Sequence, residues 1–301
     1  MLNRESISIV IPTYRRENVL LDTIDFLLQL EPAPFEILVV DQTNNHEAIT
    51  SSILEEHDSH KRIRWIRLSC PSITRAMNVG MQRARAGIVL FLDDDIVPHP
   101  NLIAAHVSAH KSGHNIIAGQ VLQPGEEPVP TSAELRAFSF ASSSQQFVSE
   151  LMAGNFSIKR ELALDLGGFD ENFVQVAYRF ESEFAQRVLS SGERIFFEPK
   201  ASIRHLKVSS GGTRAYGHHL TTIRPSHAVG AYYFLLRSCN GSSRCVNLLR
   251  RPFRAVRTKH HATHPWWIPA TLAAEAMGFA WALFLYLQGP RLMTNSRTTD
   301  E

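Results

Sequence analysis

Short apolar runs alternate with stretches of helical periodicity through the first hundred residues, and each run stops at a polar or acidic position. Ser8-Ile9-Val10-Ile11 closes at Pro12, and residues 17–30 then carry Val19, Leu20, Ile24, Leu27 and Leu28 at the spacing of one helix face. Phe35-Glu36-Ile37-Leu38-Val39-Val40 ends at Asp41. A polar loop and a helical stretch over 46–58 follow, and Ile63-Arg64-Trp65-Ile66-Arg67-Leu68 alternates as a half-buried strand. An amphipathic helix over 74–86 leads into a strand over 87–92. Strands that alternate with helices imply parallel pairing, because a parallel partner needs a crossover, so this region predicts a doubly wound α/β unit. Ligands of such sheets lie beyond the carboxyl ends of the strands. Asp41 and the triplet Asp93, Asp94 and Asp95 both follow strand ends, so they share one rim.

Beyond residue 100 the pattern is looser. Residues 122–146 are rich in Pro, Glu and Ser, with a short helical stretch between, and read as a mobile loop and candidate substrate lid. Order returns at Leu151-Met152-Ala153-Gly154-Asn155-Phe156-Ser157-Ile158, then a short helix over 160–166, a turn at Gly167-Gly168-Phe169-Asp170 and a helix over 180–190. Residues 265–287 are apolar except for Glu275 and long enough to span a bilayer. The central carboxylate, Pro269 and the alanines favour a buried or interface-lying helix over a spanning one.

Composition narrows the class. With 301 residues, 44% hydrophobic and 20% charged, the chain can bury a sizeable core in one large domain or two small ones, and nothing marks it as collagenous or disordered. Cys70, Cys239 and Cys245 are odd in number, far apart and without a CxxC pair, which argues against a disulfide framework or zinc ribbon and fits a reducing compartment. The first residues enter a strand pattern without a charged n-region or cleavage site, so no secretory signal is read. The net charge of +2 hides an asymmetry: residues 199–274 hold no Asp or Glu, against twelve Lys or Arg and seven His. That half suits anionic lipid headgroups, a phosphate-bearing substrate or nucleic acid, and charge alone does not choose.

The aspartate triplet is the sharpest chemical signal. Adjacent carboxylates repel one another, and burial strips their hydration, so such a cluster is costly unless a cation offsets it. Hard cations such as Mn²⁺ or Mg²⁺ take one or two carboxylates plus substrate phosphates, which makes a nucleotide diphosphate the natural remaining ligand. The competing reading is a solvated acidic turn. His106, His110 and His114 lie at i, i+4 and i+8, but with no accompanying carboxylate or Cys they read as a solvated stripe rather than a zinc site.

Pro12-Thr13-Tyr14-Arg15-Arg16, Asp41, Arg75-Ala76-Met77-Asn78-Val79-Gly80 and Phe91-Leu92-Asp93-Asp94-Asp95 occur in order, and together they resemble family 2 glycosyltransferases of the GT-A fold. The resemblance runs from about Ser6 to Arg214. It implies a Rossmann-like, mostly parallel sheet flanked by helices in a GT-A domain over 1–214, followed by a basic helical extension over 215–301. It also implies donor contacts: Pro12, Thr13 and Arg15 lining the base and ribose pocket, Asp41 accepting from the base, and Arg75 and Asn78 steadying the nucleotide. Asp93 and Asp95 would form the DxD motif that holds ribose and the metal, with Asp94 sharing either role. Gly167-Gly168-Phe169-Asp170-Glu171 matches a further family motif, whereas Phe180-Glu181-Ser182-Glu183 has Phe180 where the family often has an acid. Glu181 then falls at the position of the general base, with Glu183 its alternate or simply the i,i+4 partner of Arg187. By the same resemblance Gly154, Asn155, Asp170 and Glu183 border the sugar and acceptor, and His205 is a metal or diphosphate ligand; Gly211-Gly212-Thr213-Arg214 just beyond reads as a flexible loop closing on phosphate, with Arg214 as counter-charge.

The activity so implied is transfer of a sugar from a nucleotide-diphosphate donor to a hydroxyl, with inversion, at the cytoplasmic face of a membrane in cell-surface glycan synthesis. The acceptor includes lipid-linked glycans among its candidates, and no nucleic-acid partner is implied. Two alternatives stay open. A degenerate GT-A domain would act as a membrane-surface or nucleotide-sugar binding protein. A nucleotidyltransferase would need a Gly- and Lys-rich loop after the first strand, which Pro12-Thr13-Tyr14-Arg15-Arg16 lacks.

Overall fold

A computed structural model describes residues 6–130, 138–238 and 241–293. The expected alternation is present: β1 (Ile7–Thr13), α1 (Asn18–Leu28), β2 (Glu36–Asp41), α2 (Ala48–Ser59), β3 (Arg64–Arg67), α3 (Ile73–Arg83) and β4 (Ile88–Leu92) follow in order. The strands β3, β2, β1 and β4 lie side by side and parallel, with Thr13 opposite Asp41 and Val10 opposite Phe91. β5 (Ile96–Pro98), α4 (Leu102–Lys111), β6 (Ile116–Leu122), β7 (Gln146–Val148), β8 (Asn155–Lys159), α5 (Arg160–Asp165), α6 (Phe180–Ser190) and β9 (Ile195–His205) complete the sheet in the order β3-β2-β1-β4-β8-β6-β9-β5, with β7 on β9. β8 runs antiparallel to both β4 and β6, while β6 and β9 are parallel. The sheet is therefore mixed but mostly parallel in strand direction, and helices cover both faces.

The period of two sorts the core into two layers. Ile7, Ile9 and Ile11 of β1 pack with Ile24 and Leu27 of α1 on one face, and Val10 packs with Met77 of α3 and Phe91 on the other. β4 is buried on both sides, which explains its unbroken apolar run and its abrupt end at the aspartates.

The C-terminal segment forms α7 (Ala228–Ser238), α8 (Gly241–Val256), α9 (Lys259–Thr263) and α10 (Ile268–Leu287). Tyr233, Leu236, Ala282 and Leu285 of this segment belong to the same core as Phe169 and Phe184. α10 rides close on α7, and a Cβ on Gly278 would stand 2.5 Å from that of Ala228. Glu275 lies buried on this inner face and pairs with Arg251 of α8 at 3.0 Å.

Two expectations change here. His106 and His110 are buried rather than solvated, because α4 packs on the sheet where β8 presents polar side chains, while His114 lies beyond the helix, half-buried and stacked on Phe196. His106 bonds Asn155 Oδ1 (3.0 Å) and Ser157 Oγ (2.8 Å), and His110 bonds the same Ser157 at 2.8 Å. Burial drives their pKa values down to about 4 and about 3, so both rings are neutral packing groups. The 122–146 segment is pinned at its stem, where Val129 bridges Ser142 and Phe138 packs edge-on against Phe197 at 5.0 Å. Residues 131–137 of that candidate lid lie outside the described residues.

Candidate active site

The carboxyl ends of β1 and β4 open onto a cleft of about 180 Å³ lined by Pro12, Thr13, Tyr14 and Arg16 from the loop after β1, by Asp93, Asp94 and Asp95, and by His205 at the end of β9. Gln42, Ser72, Gln175 and the Gly212–Tyr216 turn complete the wall.

The three aspartates have different surroundings. Asp94 is buried, accepts from Thr13 Oγ1 at 2.7 Å and pairs with Arg16 Nε at 3.1 Å. Burial nevertheless pushes its pKa up to about 7, against the pull of Arg16 and Thr13. Asp95 accepts from His205 Nε2 (3.0 Å), Val208 N (2.9 Å) and Arg16 Nη2 (3.3 Å). Burial opposes its ionisation, but His205 and Arg16 outweigh it and hold the carboxyl below its usual range. Asp93 keeps about a third of its side chain exposed (33%) and stands 3.7 Å from His205. Its carboxyl is shifted upward, chiefly by desolvation.

One oxygen from each of Asp93 and Asp95 and one nitrogen of His205 lie within 4.8 Å of one another. Two carboxylates and an imidazole are a donor set that fits a divalent cation. The imidazole pKa is raised: burial opposes protonation, but hydrogen bonding to Asp95 and the charges of both aspartates prevail. A cation ligated there must first displace that proton.

Glu181, near the start of α6, accepts from the backbone N of Ala153 at 2.6 Å. The next residue, Gly154, lies against Asp93: a Cβ there would fall 2.2 Å from Asp93 Oδ2. The dipeptide Ala153-Gly154 thus joins the base candidate to the carboxylate cluster. Burial, helped by the charge of Asp93, lifts the Glu181 pKa to about 7. The segment leading to α6 holds Gln175, Ala177 and Arg179 at φ 58, 52 and 74°, a left-handed conformation that non-glycine residues adopt at a cost and that clusters at functional sites.

Several expected contacts are placed elsewhere. Asp41 does not line the cleft; it is fully buried, and its carboxylate already accepts from Thr43 N (2.8 Å), His46 (2.7 Å) and Trp65 Nε1 (2.9 Å). Arg15 and Arg75 are exposed and outside the lining. Asn78 braces α3 to the Gly167-Gly168 turn by bonds to both the N–H and the carbonyl of Phe169. Asn155 donates to the carbonyls of Gln120 (2.9 Å) and Ala201 (2.8 Å) inside the sheet, where it ties strands together. Asp170 anchors the C-terminal segment, accepting from Tyr233 OH (2.7 Å) and Arg291 N (2.9 Å). Glu183 is buried in a two-point pair with Arg187 (2.7 and 3.0 Å), and Phe180 joins an aromatic cluster 5.6 Å from Phe169. For Asp41, Asn78, Asn155 and Asp170 a tertiary partner, invisible in spacing, takes up the polar group, whereas Glu183 takes the i,i+4 partner that spacing offered.

Arg16 is the residue sequence reasoning left without a role. It bonds Asp94, Asp95 and the backbone carbonyls of Val208 and Ser210, tying the carboxylates to the loop after β9. Charge balance would have pointed to it, because three crowded carboxylates need a cation and Arg16 follows the neighbouring strand. Arg214 stands 3.9 Å from Asp95, and Tyr14 stacks with Tyr216 at 6.5 Å on the rim.

A mixed sheet of this order, with an acidic and imidazole cluster beyond its strand ends, defines a glycosyltransferase of the GT-A fold. The chain belongs to glycosyl transferase family 2, whose model matches residues 8–182. Among curated proteins it is 24% identical over 229 residues to the uncharacterized glycosyltransferase YfnE of Bacillus subtilis (strain 168), covering 58% of this chain and 57% of that one. It is 27% identical over 124 residues to the uncharacterized glycosyltransferase RC0461 of Rickettsia conorii (strain ATCC VR-613 / Malish 7), covering 37% of this chain and 20% of that one. These matches span little more than half of the first relative and a fifth of the second. Among solved structures, the mannosyltransferase PcManGT from Pyrobaculum calidifontis, in complex with GDP-Man and Mn²⁺, superposes with a TM-score of 0.55 at 18% identity, covering 96% of this chain and 80% of that one. GalNAc-T7 with UDP, GalNAc and Mn²⁺ gives a TM-score of 0.59 at 13% identity, covering 93% of this chain and 55% of that one.

Proposed function

We propose that the protein is an inverting hexosyltransferase that moves a sugar from a nucleoside diphosphate donor to an acceptor hydroxyl with help from a divalent cation, in synthesis of a cell-surface glycan. The observation that carries this reading is the placement of Glu181 and Asp93 on opposite sides of Ala153-Gly154, which sets a base candidate beside the carboxylate cluster. Glu181 takes the proton of the acceptor hydroxyl as its oxygen bonds to the anomeric carbon. The bond from that carbon to the phosphate oxygen breaks, and its electron pair leaves with the nucleoside diphosphate. Mn²⁺ or Mg²⁺ held by Asp93, Asp95 and His205 would supply charge neutralisation at the leaving diphosphate. Arg16 and Arg214 add fixed positive charge beside the aspartates, and the Tyr14 and Tyr216 rings offer a flat face at the rim. The donors bound in the two structural neighbours, GDP-Man and UDP with GalNAc, support a donor of that class.

The same reading places the protein at the cytoplasmic face of the cell membrane, attached peripherally through α8 and α10. Val246, Leu249 and Phe253 of α8 and Phe284 and Leu287 of α10 are exposed, and the basic segment 199–274 complements anionic lipid.

Release of nucleoside diphosphate from a panel of UDP, GDP and dTDP sugars tests the assignment. Asp95→Ala is expected to abolish the metal-linked part of donor affinity, and Glu181→Gln to lower transfer by about 10²–10⁴-fold while donor affinity stays. Full transfer by Glu181→Gln would sink the base assignment. Metal-linked donor binding by the wild-type protein without any turnover would favour the binding-protein alternative.

A further inference from the structure

Histidines gather where the short helix α9 approaches the turn that follows the donor cleft. His260 and His264 are spaced i,i+4 at α9, and their rings stack with centroids 4.6 Å apart and planes 15° from parallel. Two imidazoles that share one cation at about 2.0–2.1 Å put their centroids roughly 4.5–5.5 Å apart, so the pair already has that spacing. Histidines four residues apart on a helix also share the face from which a common ion is reached.

Hydrogen bonds leave the right nitrogens free. His264 Nδ1 donates to the carbonyl of His260 (3.2 Å), so Nδ1 carries the proton and Nε2 keeps its lone pair. The Nε2 of His260 is buried and has no hydrogen-bond partner, a costly state that a cation would relieve. His261, between them in sequence, turns the other way: it is buried, bonded to Thr258 Oγ1 and Thr271 Oγ1 (both 2.8 Å), and pins α9 to α10. The pair therefore stands on a fixed platform.

A third imidazole is close by. His218 lies within electrostatic reach of His260, is exposed, and accepts at Nδ1 a long bond of 3.3 Å from Leu220 N. Among the described residues no three of these nitrogens are gathered within 4.8 Å as the aspartate set is, so a cation would draw the exposed His218 ring inward. Imidazoles without a carboxylate favour a borderline transition cation over Mg²⁺ or Mn²⁺.

We infer that His260 and His264, with His218 as third ligand, form a binding site for a transition cation of the Zn²⁺ class, separate from the carboxylate set at the donor cleft. His218 follows the Gly212–Tyr216 turn that walls that cleft, so the bound ion clips the turn to the C-terminal helices. The inference does not rest on the transferase reading.

The test uses the full chain without a histidine tag and Zn²⁺ alone as probe, followed by competition with a chromophoric chelator and by thermal unfolding. Zn²⁺ is expected to bind also in Asp95→Ala, where the carboxylate set is broken, and to raise the unfolding temperature there. Removing a ligand costs at least the roughly 10–100-fold in affinity that removing a ligand's orienting partner costs. In that background His260→Asn/His264→Asn is expected to weaken Zn²⁺ about a hundredfold, and His264→Gln or His218→Asn alone about tenfold. The single variants carry the test if the double variant fails to fold. Zn²⁺ binding that vanishes in Asp95→Ala, or affinity unchanged by His264→Gln and by the double variant, overturns the site. Loss in those variants with full affinity in His218→Asn overturns the clip to the turn. No turnover is read, so failure of the transferase reading changes none of these outcomes.

Discussion

Glu181 carries a carboxyl whose pKa burial lifts to about 7, close to what a base working near neutrality needs. The sign of the effect follows directly. Below that pKa the group is protonated and cannot accept the hydroxyl proton; above it the carboxylate is ionised and competent. Transfer by the wild-type protein is therefore expected to rise with pH over about one unit on either side of 7, and Glu181→Gln should erase that limb together with most of the rate. A kcat profile read from released nucleoside diphosphate checks this, and a rate independent of pH across that window would place the base elsewhere. Asp93–Asp95 are legible in the sequence because charge at the end of an apolar run is conspicuous, whereas Glu181 is singled out only by its place in the family pattern that the chain resembles. Asp41, Asn78, Asn155 and Asp170 look equally polar, yet their partners come from distant elements: Trp65, Phe169, Gln120 and Tyr233. A motif records a residue type, whereas burial and partner decide its role.

At the scale of elements, periodicity predicted every strand and helix of the first hundred residues except the short β5, and it placed the helix over 180–190 where α6 runs from Phe180 to Ser190. It did not indicate how α4 meets the sheet, because His106 and His110 break an apolar stripe that only the polar face of β8 explains. Asn155 is the centre of that contact, bonded to His106, to Gln120 O and to Ala201 O, all buried. Asn155→Ala strands these three groups without solvent, so it is expected to destabilise the fold by about 2–4 kcal/mol. The cost should appear in urea unfolding as a lower midpoint at an unchanged slope. If instead the midpoint held and the acceptor KM rose, Asn155 would be a sugar contact after all. Phe180 obeys the same logic, since it is buried in the aromatic cluster around Phe169, where a carboxylate would lose its hydration.

For the whole molecule, α10 poses the question of how a helix long and apolar enough to cross a membrane is accommodated beside a catalytic domain. At 20 residues it extends about 30 Å. Its inner face packs on α7, within the core that holds Phe169, and Glu275 on that face pairs with Arg251. Crossing a bilayer would drag α7, the ion pair and part of the sugar-transfer domain into hydrocarbon, a cost far above what one helix recovers. Lying in the interface keeps those contacts and buries only the outer side, where Met277, Phe284 and Leu287 are exposed beside the α8 stripe. Arg250 and Arg254, exposed on α8, would then reach anionic headgroups, each worth about 1 kcal/mol near the surface. Two attractions of different physical origin should separate in experiment. Sedimentation with phosphatidylglycerol vesicles is expected to be strong at low salt and weaker at high salt, with a salt-resistant remainder from the apolar contacts. Replacing Val246, Leu249 and Phe253 together by Ser should remove about 3 kcal/mol of that remainder, roughly a hundredfold in partitioning, without loss of fold because all three are exposed. Vesicle binding unchanged by the triple substitution, or a protein that leaves the membrane fraction only in detergent, would show that α8 is not the contact and return α10 to the role of a spanning anchor.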